Sequence, residues 1–278
     1  MVFKIQKKFL NSKICDYKIY LVDAELSKNT IDKYLSDINQ YLVYASDEIT
    51  HESVMAYKNY LIVNYKPSTV NSKIIALNKF FSWSGYNELR VKAVKIQGNT
   101  SNDNVLSKSD YFKLLEAAKA KGRWKIYYIM RTLAMTGIRV GELKYFTVEA
   151  VKAGAIDIFN KGKIRTIYIG AKVFALLNEY CQINGIEAGI IFVGKNKNSI
   201  STKTIWYGIK KIAQDANIPK EKAYPHSFRH LFAKEYIQVT GDISELADML
   251  GHSKIETTWR YTRTSSEDKR SHLDSLHL

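Results

Sequence analysis

The hydrophobic positions in the first part of the chain recur with the 3.6-residue period of amphipathic helices. One stripe runs through residues 31–45, and a second begins after Thr50. A third follows Pro67, whose missing N–H is tolerated in the first turn of a helix. With an earlier helix over residues 7–23 and no segment typical of a strand, the pattern predicts a small four-helix domain over residues 1–98.

A change in composition separates this domain from the rest of the chain. Residues 99–106 show no core pattern and are rich in Asn, Ser and Thr, which is typical of a linker. Ser107 and Asp110 then resemble the capping pair that opens a helix. We therefore predict a second domain over residues 107–278.

Two β-rich runs, residues 155–159 and 165–169, interrupt the helical pattern of the second domain. They flank a basic turn at residues 160–163 that contains Asn and Gly, and so predict a β-hairpin. The predicted fold class is mainly α with a small β-hairpin: a helical N-terminal domain followed by a mixed α/β domain.

The charge of the chain narrows the class of partner. The 278 residues carry a formal net charge of +15, and the surplus of Lys and Arg is spread over both predicted domains. Such a surplus favours a polyanionic partner, with DNA and RNA the first candidates. The alternative is a generally basic soluble protein that binds no polyanion. An apolar content of 46% is typical of a globular protein rather than a disordered one.

Several other classes are disfavoured. Cys15 and Cys181 stand alone, with no C-x-x-C or Cys/His cluster, so we expect reduced thiols and no metal site. No apolar run approaches the roughly 18 residues of a membrane span, and the N-terminus lacks the apolar stretch of a signal peptide. We therefore expect a cytoplasmic protein with no membrane partner.

Near the C-terminus, side chains that can bind a phosphate stand close together in sequence. His226 and Arg229, three residues apart in a helix that Pro225 opens, share one face of that helix. His252 follows Gly251 in a predicted turn beside a helix N-terminus, which is a place that favours an anion.

A tyrosine and an upstream arginine complete the set. Tyr261 supplies a nucleophile, and Arg260 and Arg263 beside it would lie close to a DNA backbone. Arg139 follows a helix break, and Glu142, one turn further on, would hold its guanidinium or cap the helix. Each of these residues alone has an ordinary structural explanation, such as a surface ion pair, so the argument depends on the whole set.

Basic residues outside this set are candidate DNA contacts. The predicted hairpin tip offers Lys161, with Lys163 and Arg165 as competitors for the same role. The third helix of the first domain and a basic stretch of the second domain are also expected to face a duplex. The candidate residues there are Lys73, Lys79, Lys203, Lys210 and Lys211.

Taken together, these motifs resemble those of the tyrosine recombinases, the integrase family that includes phage integrases and Xer-type resolving enzymes. The similarity spans nearly the whole chain, with Thr-Gly-x-Arg-x-Gly-Glu-Leu, a Lys-Gly hairpin, His-x-x-Arg-His and Leu-Gly-His-Ser in the expected order. The resemblance implies a core-binding domain followed by a catalytic domain. The catalytic set that it implies in this chain is Arg139, Lys161, His226, Arg229, His252 and Tyr261.

The resemblance also implies DNA breakage and rejoining through a 3′-phosphotyrosine, with no cofactor and no metal. Tyr261 would attack the scissile phosphate, the two arginines would neutralise its charge, and His226 would assist proton transfer. His252 would donate a hydrogen bond to the phosphate. Lys161 would protonate the leaving oxygen, although the hairpin is one residue tighter than the usual pattern, which leaves Lys163 as the alternative.

The implied partners are double-stranded DNA recombination sites, further copies of the chain in a synaptic tetramer on DNA, and accessory DNA-bending or excision factors. The leucine-bearing tail segment, residues 265–278, would dock on a neighbouring protomer or on its own domain. Two other functions would use the same features. One is a type IB topoisomerase-like enzyme, and the other is a DNA-binding regulator that has the fold without the activity.

Overall fold

Helices dominate both parts of the protein. The computed structural model describes residues 4–95, 105–160, 163–194, 198–252, 255–259 and 274. Contacts divide the chain into two units, residues 1–98 and residues 99–278. The predicted fold class, mainly α with a small β-hairpin, is confirmed. Across the described stretches, no helix combines the length and the apolar composition needed to cross a membrane.

The helices of the first unit begin at residues that satisfy or do not need their first N–H groups. The side chain of Ser27 accepts the N–H of Thr30, Thr50 and Ser53 form a capping box, and Pro67 is the first residue of its helix. The described helices are α1 (Lys7–Ser12), α2 (Ile14–Asp23), α3 (Lys28–Tyr44), α4 (His51–Asn64) and α5 (Pro67–Trp83).

Two details of the first unit correct the sequence prediction. The helix expected over residues 7–23 is broken at Lys13, whose N–H turns back to the carbonyl of Leu10 at 3.2 Å. A short antiparallel pair of strands, β1 (Ile5–Gln6) and β2 (Glu48–Ile49), lies where the pattern predicts no strand. Each strand has only two residues, which is too short for a period-2 alternation to be visible in the sequence.

Aromatic side chains fill the core of the first unit. Tyr17 on α2 meets Phe80 on α5 with ring centroids 5.1 Å apart, and Tyr41 on α3 meets Phe81 on α5 at 5.9 Å. All four rings are at most 1% exposed. Rings of this size bury much apolar area, so they account for the close packing of α5 against α2 and α3.

One predicted DNA contact, Lys73, is wrong. Its ammonium donates to Oδ1 of Asp37 at 2.8 Å and to Oε1 of Gln40 at 2.5 Å, between α3 and α5, and the residue is only 9% exposed. Asp37 is buried as well, and its Oδ2 pairs with Lys33 at 2.8 Å. Because a buried charge needs its partners, Lys73 is part of the core of the first unit and does not face a duplex.

The second unit is built around the hydrophobic helix α7. The described elements are α6 (Lys108–Ala120), α7 (Trp124–Thr136), α8 (Val148–Lys152), β3 (Ala155–Asn160), β4 (Lys163–Tyr168), α9 (Ala171–Asn184), α10 (Thr202–Asp215), α11 (Pro225–Thr240), α12 (Ile243–Leu250) and α13 (Ile255–Thr258). Helices α6, α9, α10 and α11 all pack against α7. A short 3₁₀-helix, Val140–Tyr145, follows α7 and leads toward α8.

The core of the second unit begins with the second of its described residues. Leu106, the last residue of the predicted linker, is 1% exposed among the core side chains of this unit. The predicted capping pair is confirmed, because Ser107 accepts the N–H of Asp110 at 3.0 Å. Apart from Val105 and Leu106, the predicted linker lies outside the described residues.

The predicted hairpin is confirmed by the antiparallel pairing of β3 with β4. Ile158 on β3 is fully buried and lies directly opposite Arg165 on β4. Because residues paired across antiparallel strands project from the same face, Arg165 is directed toward the inside of the unit.

Lys73 and Lys33 both pair with Asp37, but only Lys73 is buried. The two lysines should therefore differ in how much they stabilise the first unit. Lys73→Met should lower the free energy of unfolding of the first unit by about 3 kcal/mol, because Asp37 loses its buried partner. Lys33→Met removes the exposed partner of the same carboxylate and should cost less than about 1 kcal/mol. Urea unfolding of the full chain, followed by hydrogen exchange of α3 and α5 amides, measures both. Equal losses in the two variants would contradict the burial of Lys73.

Candidate active site

The guanidinium of Arg229 ties three helices together. The residue is fully buried on α11, where Nη1 donates to the carbonyl oxygen of Gly137 at 2.8 Å and Nη2 donates to that of Leu250 at 2.6 Å. Gly137 directly follows α7, and Leu250 is the last residue of α12. Carbonyl groups at these positions have no partner within their own helix, so one side chain satisfies both helix ends.

Gly137 permits this close approach of α7 to α11. Its φ is +62°, in the left-handed region that favours glycine. A Cβ built at Gly137 would collide with the ring of Phe232 on α11. The glycine is therefore required both by its backbone conformation and by the packing of α11, and it brings the chain to Arg139 two residues later.

Two further arginines share one buried carboxylate. Glu142 is 5% exposed, and its Oε2 accepts the backbone N–H of Arg139 at 2.7 Å, while its Oε1 accepts from Nη1 of Arg139 at 3.2 Å. Nη2 of Arg165 donates to the same Oε2 at 2.7 Å. The predicted contact between Arg139 and Glu142 is therefore present, but one negative charge faces two positive ones.

The imidazole of His252 is held between two side chains. Its Nε2 lies 2.9 Å from Nη2 of Arg229, and its Nδ1 lies 2.8 Å from Oγ1 of the fully buried Thr258. A guanidinium can only donate, so Nε2 accepts, and the proton of the neutral ring is on Nδ1, which donates to Thr258. In this arrangement Nε2 is engaged with Arg229 as an acceptor, which differs from the predicted role of donating to a phosphate.

The surroundings favour the neutral form of both histidines. Loss of hydration lowers the pKa of His252 to about 4, and the nearby charges of Arg229, Arg139 and Arg165 contribute in the same direction. The pKa of His226 is lowered by the same causes, first by loss of hydration and then by Arg229 and Arg139, even though part of its ring is exposed. Four of the predicted catalytic residues, together with Arg165, therefore lie close enough for their charges to influence one another. The four are Arg139, His226, Arg229 and His252.

The described part of this site is suited to an anion. Arg139 and Arg165 share the single carboxylate of Glu142, and Arg229 adds a third guanidinium beside His252, so these four charged groups sum to two positive charges when the imidazoles are neutral. Planar guanidinium groups match the oxygen spacing of a phosphate. Within the described stretches, no group of three His, Cys, Asp or Glu side chains is placed to hold a metal ion.

Several predicted residues cannot be located relative to this site. The predicted nucleophile and the predicted general acid lie outside the described residues, as do two candidate DNA contacts and the side chain of the alternative general acid. The tail segment, residues 265–278, is also outside them except for Asp274. The five residues concerned are Lys161, Lys163, Arg260, Tyr261 and Arg263.

Three of the four remaining predicted DNA contacts lie beside aromatic rings. The ammonium groups of Lys203 and Lys210 are 6.0 and 5.0 Å from the rings of Tyr207 and Trp206, all on α10. Lys79, in the first unit, is 5.4 Å from a tyrosine ring. Contact with DNA stays a prediction for Lys79, Lys203, Lys210 and Lys211.

The sequence prediction missed two contributions to this site. Arg165 was predicted as a DNA contact, but its side chain is only 12% exposed and binds Glu142 inside the unit, which corrects that role. Arg165 lies opposite the apolar Ile158 across the hairpin, and this pairing is the signal that its side chain is directed inward. Thr258 was not predicted at all, because nothing in the sequence connects its hydroxyl with the ring of His252 six residues earlier.

Replacing Thr258 with valine removes the acceptor of the His252 Nδ1 proton and nearly preserves the shape of the side chain. We expect the Nδ1–H tautomer of His252 to lose its dominance, and the free energy of unfolding to fall by about 1–2 kcal/mol because a buried donor loses its partner. Long-range ¹⁵N NMR correlations of the imidazole report the tautomer, and urea unfolding reports the stability. Thr258→Ser keeps the hydroxyl and is the control. An unchanged His252 spectrum in Thr258→Val would refute the hydrogen bond.

The lowered pKa of His252 predicts acid sensitivity of the second unit. Between the ordinary pKa of 6.5 and the folded value of about 4, the unfolded chain binds a proton that the folded protein does not. The part of the free energy of unfolding that depends on neutral His252 is therefore fully present above pH 6.5. It falls on acidification, by up to about 1.4 kcal/mol per pH unit. Urea unfolding at pH 7, 6 and 5 measures this slope. His252→Gln should flatten it, leaving the smaller part due to His226, and an identical slope in that variant would exclude His252 as the cause.

Comparison with known proteins finds relatives that match nearly the whole chain. The chain is 26% identical to tyrosine recombinase XerA of Pyrococcus furiosus, over 99% of this chain and 97% of that protein. It is 26% identical to tyrosine recombinase XerD of Vibrio cholerae, over 91% and 90%. The solved structure of lambda integrase residues 75–356 bound to DNA has the same fold, with a TM-score of 0.78 and 20% identity over 94% of this chain and 98% of that one.

Two family profiles cover most of the chain. The profile of the N-terminal SAM-like domain of phage integrases matches residues 14–85, which lie in the helical first unit. The profile of the phage integrase family matches residues 104–268, a span that contains Arg139, His226, Arg229 and His252. On the strength of this match over more than half of its length, the chain belongs to the phage integrase family.

Proposed function

We propose that this protein is a site-specific DNA recombinase, which cuts and rejoins double-stranded DNA through a 3′-phosphotyrosine. The observation that carries the proposal is the convergence of Arg139, Arg229, His226 and His252 around a site with an excess of positive charge. A DNA phosphate is the anion that fits a chain with a net charge of +15. The family match supports the same conclusion.

The proposed reaction exchanges one phosphate ester for another. The phenol oxygen of Tyr261 attacks the scissile phosphorus, a bond from that oxygen to phosphorus forms, and the bond from phosphorus to the 5′-oxygen breaks. The phenol proton passes to His226, whose lowered pKa keeps its ring neutral and able to accept it. Lys161, or Lys163 in its place, gives a proton to the departing 5′-oxygen. Reversal of these steps with a new 5′-hydroxyl rejoins the DNA.

The arginines supply the electrostatic part of the mechanism. Arg139 and Arg229 would stabilise the charge that builds up on the non-bridging oxygens, and loss of one such donor typically lowers the rate by about 10²–10³-fold. His252 would act on Arg229 rather than on the phosphate, since its Nε2 accepts from that guanidinium. The hydrogen bond from His252 to Thr258 would keep the ring in the tautomer that can do so.

The proposed partners follow from the substrate. Lambda integrase has been solved as a tetramer bound to a Holliday junction, and we propose a comparable synaptic tetramer on paired recombination sites for this chain. The tail at residues 265–278 is a candidate contact between protomers, and accessory DNA-bending or excision factors are further candidate partners. Action on cellular DNA would place the protein in the cytoplasm.

Trapping of the covalent intermediate tests the proposal. A site is first selected from random duplexes by binding, and a nick placed close to the cleavage point then lets the short 5′-hydroxyl strand diffuse away. The protein should accumulate as a DNA adduct that is resolved by denaturing electrophoresis, and Tyr261→Phe should abolish that adduct. Tyr168→Phe, at a tyrosine that is 76% exposed on β4, is the matched control and should trap normally.

The same assay separates the alternatives. An adduct that survives Tyr261→Phe would refute the assigned nucleophile. Relaxation of any supercoiled plasmid, whether or not it carries the selected site, would identify a type IB topoisomerase-like enzyme. Tight binding of the selected site with no adduct would identify a DNA-binding regulator.

A further inference from the structure

Arg165 joins three separate segments of the second unit. It lies on β4, and its Nη2 donates to Oε2 of Glu142 at 2.7 Å, in the 3₁₀-helix that follows Arg139. Its side chain also packs against Gly251, in the turn that carries His252. The hairpin, the Arg139 segment and the His252 turn therefore meet at this one side chain.

The contact with Gly251 leaves no room for another side chain. Gly251 ends α12 with a φ of +64°. A Cβ built there would lie 2.6 Å from Cδ and 2.8 Å from Nη1 of Arg165, closer than real Cβ contacts. The Arg165 side chain is thus enclosed between the carboxylate of Glu142 and the backbone of the His252 turn, with only 12% of its surface exposed.

The sharing of Glu142 determines how Arg139 is held. Oε2 of Glu142 serves the backbone N–H of Arg139 and the guanidinium of Arg165, both at 2.7 Å, while Oε1 serves the guanidinium of Arg139 at 3.2 Å. With Arg165 in place, the carboxylate is fixed from two sides and the three groups keep one net positive charge. Without it, the carboxylate would be free to turn fully toward Arg139 and neutralise that guanidinium.

We propose that Arg165 is a positioning residue for the cleavage reaction. It holds the carboxylate of Glu142 so that Arg139 stays oriented, and positively charged, toward the scissile phosphate. It does not itself touch the phosphate. The proposal rests on the recombinase function and adds a residue to it. Arginine is required, because a lysine has one compact ammonium and cannot both reach Glu142 and fill the space beside Gly251 with a planar group.

A methylphosphonate at the scissile position tests this role. Replacing one charged non-bridging oxygen with a methyl group removes a negative charge from the transition state, so cleavage depends less on an oriented guanidinium. On the ordinary phosphodiester, Arg165→Lys and Arg165→Gln should slow adduct formation by roughly 10–100-fold, the range typical of supporting residues. On the methylphosphonate, the same variants should lose less than about threefold relative to the unsubstituted protein, because the interaction that they disturb is less needed.

The comparison of the two substrates is made within each protein, so a smaller folded fraction in a variant cancels from the ratio. Arg131→Gln is the matched control: it removes an arginine of α7 that binds the hydroxyl of Tyr127, and it should leave both rates unchanged. Equal losses on the two substrates in the Arg165 variants, or no loss on the phosphodiester, would overturn the positioning role alone. If the unsubstituted protein forms no Tyr261 adduct with either substrate, the recombinase function fails and this inference fails with it.

Discussion

The buried guanidinium of Arg229 is the interaction on which the arrangement of the second unit depends. It joins the end of α7, the end of α12 and the ring of His252 at distances of 2.6 to 2.9 Å. Arg139 follows α7 by three residues, and His252 follows α12 by two. A cation this deeply buried is tolerated only while its hydrogen bonds are satisfied, so separating these segments would expose an unsatisfied charge at a cost of several kcal/mol. Arg229 thus fixes the ends of α7 and α12, and with them the starting points of the segments that carry Arg139 and His252.

The site is an assembly of like charges held close together. Arg139 and Arg165 share Glu142, Arg229 lies beside His252, and the positive charges add to the loss of hydration that favours neutral imidazoles. Such an arrangement is unfavourable by itself and is relieved when an anion enters. The same field has a second effect. A neutral imidazole at His226 can accept a proton at neutral pH, whereas a protonated one cannot, so in the proposed reaction loss of hydration and the nearby arginines would together keep His226 able to act as the base.

Much of this was visible in the sequence, and what was not visible depends on residues far apart in the chain. Helical periods, the caps at Ser107 and Asp110, the hairpin and the order of the site motifs are local patterns, and the structure confirms the helices, the caps and the hairpin. The burial of Lys73 was missed because its partner, Asp37, lies 36 residues away on another helix. The inward direction of Arg165 was missed because basic residues near a hairpin tip are usually exposed. Nothing in the sequence indicates the role of the Thr258 hydroxyl, because that role depends entirely on the orientation of the His252 ring.

The two carbonyl groups that receive Arg229 belong to the negative ends of two helix dipoles. α7 and α12 both terminate at this guanidinium, and each helix C-terminus carries about half of a negative charge. Peptide dipoles, unlike carboxylates, do not titrate. This part of the compensation of Arg229 is therefore insensitive to acid, whereas the pairing of Arg139 and Arg165 with Glu142 depends on an ionised side chain. Two helix ends thus stabilise a buried cation through backbone groups, whatever the pH.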